Sequence, residues 1–111
     1  MYPSWTYTAG GLYSSASDLA TWAAALDGGK LLPPSSLAEM WANQRLEDGT
    51  SIPFGLGWVV ESLRGRKVVG HSGGPALGDI VRLVEEKVTI IVLTNQQNFR
   101  PYLALGVADF L

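Results

Sequence analysis

Apolar residues near the start of the chain recur with the period of an α-helix. The i, i+3, i+4 and i+7 positions of one helical face are occupied by Leu19, Trp22, Ala23 and Leu26. Ser15 followed three residues later by Asp18 is typical of a capping box, and Gly28-Gly29 suits a left-handed C-terminal end. We therefore predict an amphipathic helix that begins after Ser15 and ends before the two glycines.

A second, shorter helix is predicted a few residues later. Pro34 suits its first turn, where a backbone N–H has no helical partner in any case. Leu37, Met40 and Trp41 fall on one side of it. This helix is expected to end near Asn43.

From Phe54 onward the pattern changes from helical to extended. Four segments are predicted to be strands: residues 54–61, 67–71, 79–84 and 88–93. Turns are predicted at residues 63–66 and 85–87, where charged residues and glycine interrupt the apolar runs. Because the run from Val88 to Leu93 is apolar at nearly every position, we expect neighbouring elements to cover both of its faces.

A last helix is expected to start around Pro101. Its buried face is predicted to comprise Tyr102, Leu103, Val107 and Phe110. Gly106 within it either costs about 1 kcal/mol or permits close packing. The order helix, helix, four strands, helix, with connections too short for parallel crossovers, predicts the α+β class: an antiparallel β-sheet meander with flanking helices.

Composition narrows the classes of protein. With 111 residues, 47% hydrophobic and 16% charged, the chain makes one small domain and no disordered segment. A formal net charge of −2 argues against a nucleic-acid partner.

The sequence offers no residues for a zinc site or a signal peptide. Because the chain has no cysteine and one histidine, the usual zinc motifs are excluded, and we predict no metal and no cofactor. No apolar run is long enough for a transmembrane helix, and residues 1–5 lack the features of a signal peptide.

The stretch from Gly70 to Gly74 has the most concentrated chemical character. His71 can donate or accept a proton near neutral pH, and the glycines around it let backbone N–H groups approach a ligand. A surface histidine at the end of a strand, with glycines that serve the turn, explains the same residues without a function. Spacing alone favours this second interpretation.

Five segments, taken in order, resemble a known family. They are residues 9–20 (Ala-Gly-Gly-Leu-Tyr-Ser-Ser-Ala-Ser-Asp-Leu-Ala), 26–32, 54–58 (Phe-Gly-Leu-Gly-Trp), 70–74 (Gly-His-Ser-Gly-Gly) and 90–95. The family is that of the serine β-lactamase-related hydrolases, which comprises class C β-lactamases, penicillin-binding DD-peptidases and related esterases. Each segment alone is weak, but five in the right order are fairly specific.

The resemblance implies acyl transfer, but only one of the family's three motifs is present. The family uses a serine nucleophile in Ser-x-x-Lys, a second motif of Tyr-x-Asn type and a third of Lys-Thr-Gly or His-x-Gly type. Here only the third matches, as His71-Ser72-Gly73, because no serine has lysine at its third following position and no tyrosine has asparagine two residues on. We therefore expect residues 1–111 to be a single partial domain, the C-terminal part of a β-lactamase/DD-peptidase-like fold, inactive alone, with Met1 an internal or misassigned start.

The resemblance also implies a role for each residue of the third motif. His71 is expected to face the pocket from an edge strand and bind the carboxylate or carbonyl side of the substrate. Ser72 is expected to offer its hydroxyl group to the substrate, and Gly73 to let the substrate lie against the strand. The N–H of Gly74 is expected to be one of two oxyanion donors, the other belonging to the backbone of the nucleophile.

The substrate class stays open between esters, amides and β-lactams. Histidine in place of lysine at the first position of the motif favours esterases and peptidases over true β-lactamases. Residues 75–79 (Pro-Ala-Leu-Gly-Asp) depart from the glycine and aromatic residue that the family often has there. The substrate is expected to be a small molecule or a peptide, and the family is often periplasmic or secreted.

Two functions remain as alternatives. The chain is either the C-terminal portion of a serine acyl hydrolase or a non-catalytic binding or assembly module derived from that fold. In the first case a strand from the missing N-terminal part is expected beside residues 88–93, where an apolar edge is otherwise open; in the second, a partner such as a second copy covers it.

Two other groups of residues admit a binding role, but a structural role is favoured for both. Trp22 and Trp41 can line a cleft, yet they stand on apolar helix faces and are predicted to lie in the core. Three cations, Arg64, Arg66 and Lys67, can bind an anion, but a solvated hairpin end explains them more simply.

Overall fold

The structure is a computed structural model, and it describes residues 9–73, 78–95 and 103–111. The helices are α1 (Ala16–Asp27), α2 (Pro34–Met40) and α3 (Leu103–Ala108). The strands are β1 (Gln44–Arg45), β2 (Ser51–Ile52), β3 (Val59–Leu63), β4 (Arg66–Gly73), β5 (Gly78–Leu83) and β6 (Val88–Leu93). The predicted α+β class is confirmed by this order of elements.

Both ends of α1 are formed as the sequence predicts. The Ser15 hydroxyl oxygen accepts a hydrogen bond from the Asp18 N–H at 3.1 Å. At the other end Gly29 has a φ of +64°, and the N–H groups of Gly29 and Lys30 donate to the carbonyls of Leu26 and Ala25 at 3.1 and 3.0 Å. These two bonds are those of a Schellman motif, which needs a left-handed residue at this position.

Helix α2 ends at Met40, three residues before the predicted end at Asn43. To continue the helix, the Gln44 N–H would have to donate to the Met40 carbonyl, but it donates to Phe54 at 2.9 Å. The Met40 carbonyl accepts instead from the Leu56 N–H, also at 2.9 Å. A later segment of the chain therefore ends this helix, which no local pattern could reveal.

The main sheet has the order β3-β4-β5-β6 with every neighbouring pair antiparallel, so the predicted meander is confirmed. The turn from β3 to β4 consists of Arg64 and Gly65, with φ angles of 51° and 81°. Two successive left-handed residues are characteristic of the type I′ turn that joins tightly paired strands.

The first predicted strand is wrong in its first five residues, because β3 begins at Val59 and not at Phe54. Residues 54–58 form a turn in which the Gly55 N–H donates to the Trp58 carbonyl at 2.7 Å and Gly57 has a φ of +78°. The small hairpin of β1 and β2 was not predicted, since strands of two residues carry no periodicity.

Alternate residues of the sheet form two cores. Val60 and Val69 face the side of α1 and α2, where they pack with Leu26, Trp41 and Trp58. The opposite side packs against α3 and has its own core: Val68, Val81, Leu83, Ala104 and Ala108. α1 and α3 both pack against β6, but no residue of β6 is buried and Val88 and Leu93 are exposed, so the expected burial of residues 88–93 on both faces is only partial.

The predicted apolar face of the last helix is wrong. Leu103, Val107 and Phe110 are 40%, 43% and 93% exposed, whereas Ala104 and Ala108 are fully buried. The small alanine side chains let the helix backbone approach the sheet closely, so the larger residues turn outward. Nothing lies within 4 Å of a Cβ placed on Gly106, so this glycine permits no close packing. Pro101 and Tyr102 lie outside the described residues.

Two buried polar side chains of β5 attach the helices to the sheet. The Arg82 guanidinium forms an ion pair with Asp27 at the end of α1, donates to Thr89 Oγ1 at 2.7 Å and lies 5.6 Å from the centre of the Trp41 ring. On the opposite face, Asp79 Oδ2 accepts a hydrogen bond from the Ala104 N–H of α3 at 2.8 Å. β5 therefore holds one helix on each face.

Replacement of Asp27 by alanine should lower the free energy of unfolding by roughly 2–4 kcal/mol, because it leaves the Arg82 guanidinium buried without its counter-ion. Urea denaturation followed by circular dichroism measures this loss.

Asp109→Ala is the matched control, since it breaks the Arg64–Asp109 ion pair, whose side chains are 67% and 43% exposed. It should cost at most about 1 kcal/mol. Equal losses in the two variants would contradict the assignment of Arg82 as the anchor of α1.

Candidate functional site

The strand β4 has a neighbouring strand on both sides over Val68–Gly70 and on one side only at its end. β3 pairs with Arg66 to Gly70, whereas β5 pairs with Val68 to Gly73. Among the described residues, the side of His71–Gly73 that faces away from β5 therefore has no neighbouring strand; we call this side the open edge. The sequence placed His71 on an edge strand, but β4 lies inside the sheet and only these three residues have an edge.

His71 lies on the same face of the sheet as Val69 and is directly opposite Ile80 of β5. Its side chain is exposed, and within the described part of the chain it takes part in no hydrogen bond or ion pair. The centre of its ring lies 6.5 Å from that of Phe54, with an angle of 71° between the planes. The imidazole is therefore accessible to a ligand and contacts one aromatic ring.

Ser72 and Gly73 alternate with His71 along the open edge. Ser72 is directly opposite Asp79, so its half-buried side chain belongs to the α3 face of the sheet, opposite to His71. A Cβ on Gly73 would meet its nearest atoms, the Gly78 carbonyl oxygen and nitrogen, at 3.7 and 3.9 Å, which is ordinary contact. The structure thus brings His71, Ser72 and Gly73 to one edge, and Gly74 lies outside the described residues.

Phe54 is the neighbour of His71 that sequence reasoning did not identify. It was assigned to the interior of a strand, but it stands in the turn before β3 and forms a single bridge with Val59. Two glycines in the next three positions, Gly55 and Gly57, are the signal that could have revealed this turn, since glycine weakens a strand.

Gly55 fixes the backbone of this turn against the end of α2. A Cβ at Gly55 would lie 2.2 Å from the Met40 carbonyl oxygen and 3.1 Å from that of Ala42. Only glycine fits at this distance, and the Leu56 N–H donates to the same Met40 carbonyl. The position of Phe54 beside His71 therefore depends on this close approach.

The other candidate groups have structural roles. Arg64 pairs with Asp109 at 2.9 Å and Arg66 with Glu86 at 3.8 Å, as expected of a solvated hairpin end. Trp41 is buried as predicted, but Trp22 is 40% exposed and stacks on Trp58 with ring centres 5.9 Å apart. Trp22 therefore lies at the border of the core.

A small pocket lined by residues that include His71 and Asp79 adjoins the open edge, whereas other features of the described residues lie away from it. A wide, shallow groove is lined by residues that include Trp41, Ser62 and Lys67, and it contains none of residues 71–73. No three histidine, aspartate or glutamate side chains within residues 9–73, 78–95 and 103–111 come together in a way that could hold a metal ion. In the same ranges no helix has the length and apolar character needed to span a membrane.

Comparison with known proteins gives one family and one curated relative. The model of the Beta-lactamase family matches residues 1–109. Penicillin-binding protein 4* of Bacillus subtilis (strain 168) is 31% identical over 97 residues, which are 84% of this chain and 21% of that protein. The chain thus spans about a fifth of the length of this relative. No solved structure matches the chain.

Gly55→Ala should lower the free energy of unfolding by about 1–3 kcal/mol, since the added methyl group forces the Met40 carbonyl away from the turn. The midpoint of urea denaturation measures this change.

Gly106→Ala provides the control, because its Cβ would meet nothing within 4 Å in an exposed helical position. This variant should be more stable by roughly 0.5–1 kcal/mol. If Gly55→Ala is as stable as the unsubstituted chain, the close approach of the turn to α2 is not required.

Proposed function

This chain belongs to the beta-lactamase family of serine hydrolases, and we propose that its strand β4 binds the substrate of an acyl-transfer site. In this proposal residues 1–111 are the C-terminal part of a hydrolase domain that acts on an ester, an amide or a β-lactam. The observation that carries the proposal is the open edge, since the third motif of the family coincides with the three residues of β4 that have a neighbour on one side only among the described strands.

An open edge can bind an extended ligand through its backbone. Backbone groups of successive residues point alternately to the two sides of a strand, and Gly70 and Ser72 of β4 point to the side of β3. The Ser72 N–H and C=O therefore lie at the open edge and can form the hydrogen bonds that an additional strand would form. Each such bond contributes about 0.5–1.5 kcal/mol net. Because neighbouring side chains lie on opposite faces, a ligand at this edge meets His71 on one side and Ser72 on the other.

Each residue of the motif has a proposed part in binding. The exposed His71 imidazole donates a hydrogen bond to the carboxylate or carbonyl of the substrate. Ser72 offers its hydroxyl group, and Gly73 leaves room for the substrate backbone. The Gly74 N–H is proposed as one oxyanion donor, and the loss of one such donor typically costs about 3 kcal/mol of transition-state stabilisation.

The nucleophile is proposed to come from outside residues 1–111. No Ser-x-x-Lys or Tyr-x-Asn occurs in the sequence, so the attacking group, its base and the second oxyanion donor are assigned to another part of the domain. That part would be the partner of this chain. By itself the chain is therefore proposed to bind acylated ligands weakly and to catalyse nothing.

The 111-residue chain should form no covalent adduct with a fluorescent penicillin or a fluorophosphonate, because it has no activated serine. Intact-mass spectrometry measures adduct formation. The Bacillus subtilis relative, whose name states that it binds penicillin, serves as the positive control for the penicillin probe. Stoichiometric labelling of the chain would overturn the assignment of the nucleophile.

The same lack of a nucleophile favours a second candidate, a non-catalytic binding or assembly module. Translation of the DNA upstream of the Met1 codon separates the two. Ser-x-x-Lys and a Tyr-x-Asn-like motif in frame would support the hydrolase, whereas a stop codon with a ribosome-binding site would support the module.

Gly73→Ala should weaken the binding of N-acetylglycine by roughly tenfold, because the added methyl group lies on the same face of the sheet as the His71 imidazole, where the ligand is proposed to bind. Nuclear magnetic resonance of His71, the one histidine of the chain, follows binding without overlap. The midpoint of urea denaturation should stay nearly unchanged, since the added Cβ makes only ordinary contacts. Unweakened binding would argue against a ligand at the open edge.

A further inference from the structure

We propose that Phe54 positions the imidazole of His71 and forms an apolar wall at the open edge, so that this site prefers acyl groups with an aromatic substituent. This inference rests on the proposed function, because it takes the open edge to be the place where the substrate binds. It adds a residue outside the third motif and a substrate preference.

The turn before β3 brings Phe54 to the start of the open edge. Phe54 forms a bridge with Val59, and Val59 is the residue of β3 that pairs with Gly70. The pairing of β3 with β4 stops there, one residue before His71. Phe54 therefore stands where β3 leaves β4, on the same side of β4 as the open edge.

The contact between the two rings is edge-to-face. Their centres are 6.5 Å apart with an angle of 71° between the planes, within the range that aromatic pairs prefer. Within the described residues no other aromatic ring and no hydrogen bond restrains the imidazole. Phe54 is thus the aromatic side chain among the described residues that is placed to orient the imidazole of His71.

The backbone that carries Phe54 is held from two directions. The Phe54 carbonyl accepts a hydrogen bond from the Gln44 N–H at 2.9 Å. Directly after it, Gly55 lies against the Met40 carbonyl, which also accepts from the Leu56 N–H. A ring attached to such a backbone provides a preformed surface, and binding to it requires little additional ordering.

Phe54 still presents part of its surface to solvent. Its side chain is 39% exposed beside the exposed His71, so a hydrogen-bond donor and an apolar surface adjoin each other at one end of the open edge. A ligand that fits both has a carboxylate or carbonyl group for His71 and an apolar group next to it. A flat aromatic substituent gains most, because it can pack against the Phe54 ring.

Two probes that differ in one group test this preference. N-benzoylglycine and N-acetylglycine share the amide and the carboxylate, and they differ by phenyl against methyl. Titration of each into the 111-residue chain, followed by the ring-proton resonances of His71, gives both dissociation constants. We expect N-benzoylglycine to bind three- to tenfold more tightly, roughly the contribution of one aromatic pair.

Three variants assign the preference to Phe54. Phe54→Ala should reduce the ratio of the two dissociation constants to about one and shift the His71 ring protons of the free chain, because it removes the ring current of Phe54. Phe54→Tyr keeps an aromatic ring, so it should restore both the ratio of the dissociation constants and the resonances of His71. Phe110→Ala, the same substitution at a 93% exposed residue in the last turn of the chain, should change neither.

The outcomes separate this inference from the proposed function. If the ratio or the His71 resonances stay unchanged in Phe54→Ala, the role of Phe54 is refuted while binding at the open edge stands. If neither probe shifts His71 in the unsubstituted chain, the proposed function fails and this inference fails with it.

A measurement on the unsubstituted chain does not depend on the folding of any variant. Nuclear Overhauser effects from the benzoyl ring to the Phe54 ring support the proposal. Such effects to His71 but not to Phe54 overturn it.

Discussion

The backbone hydrogen bonding of β4 is the constraint on which the rest of this structure depends. From Val68 to Gly70 the strand has neighbours on both sides, and from His71 onward β5 is its one neighbour among the described strands. The change occurs because the chain before β3 turns away at residues 54–58, where Gly57 has a left-handed φ and Gly55 lies too close to the Met40 carbonyl for a side chain. The same turn exposes the edge of the third motif and places Phe54 beside it.

The register of β4 matters as much as its pairing. A slip of one residue would move His71 to the α3 face and Ser72 to the face of α1 and α2. The buried side chains of β5 oppose such a slip, since Arg82 is paired with Asp27 on one face and Asp79 with the N–H of Ala104 on the other. Polar contacts that hold helices in place thus also hold the orientation of the candidate site.

Membership of the beta-lactamase family and the small share of the relative that the chain spans fit one picture. A four-stranded sheet with helices on both faces builds two cores and presents one motif of a site at the end of a strand. β6, which pairs with β5 alone among the described strands, is the sheet edge where a strand from the remainder of a domain is proposed to lie. The fold therefore positions the groups that are proposed to bind the substrate, and the proposed chemistry needs groups from elsewhere.

Features determined by neighbouring residues could be predicted from the sequence alone: the capped α1, the β3–β4 turn, the antiparallel meander and the His71-Ser72-Gly73 motif all follow from local spacing. Features set by contacts between distant segments could not be predicted from the sequence alone. The Met40 carbonyl at the end of α2 accepts a hydrogen bond from the distant Leu56 N–H, and Ala104 and Ala108 face the core because close approach favours small side chains. Phe54 reaches His71 for the same reason: packing, which brings together residues far apart in sequence, is decided only in the tertiary structure.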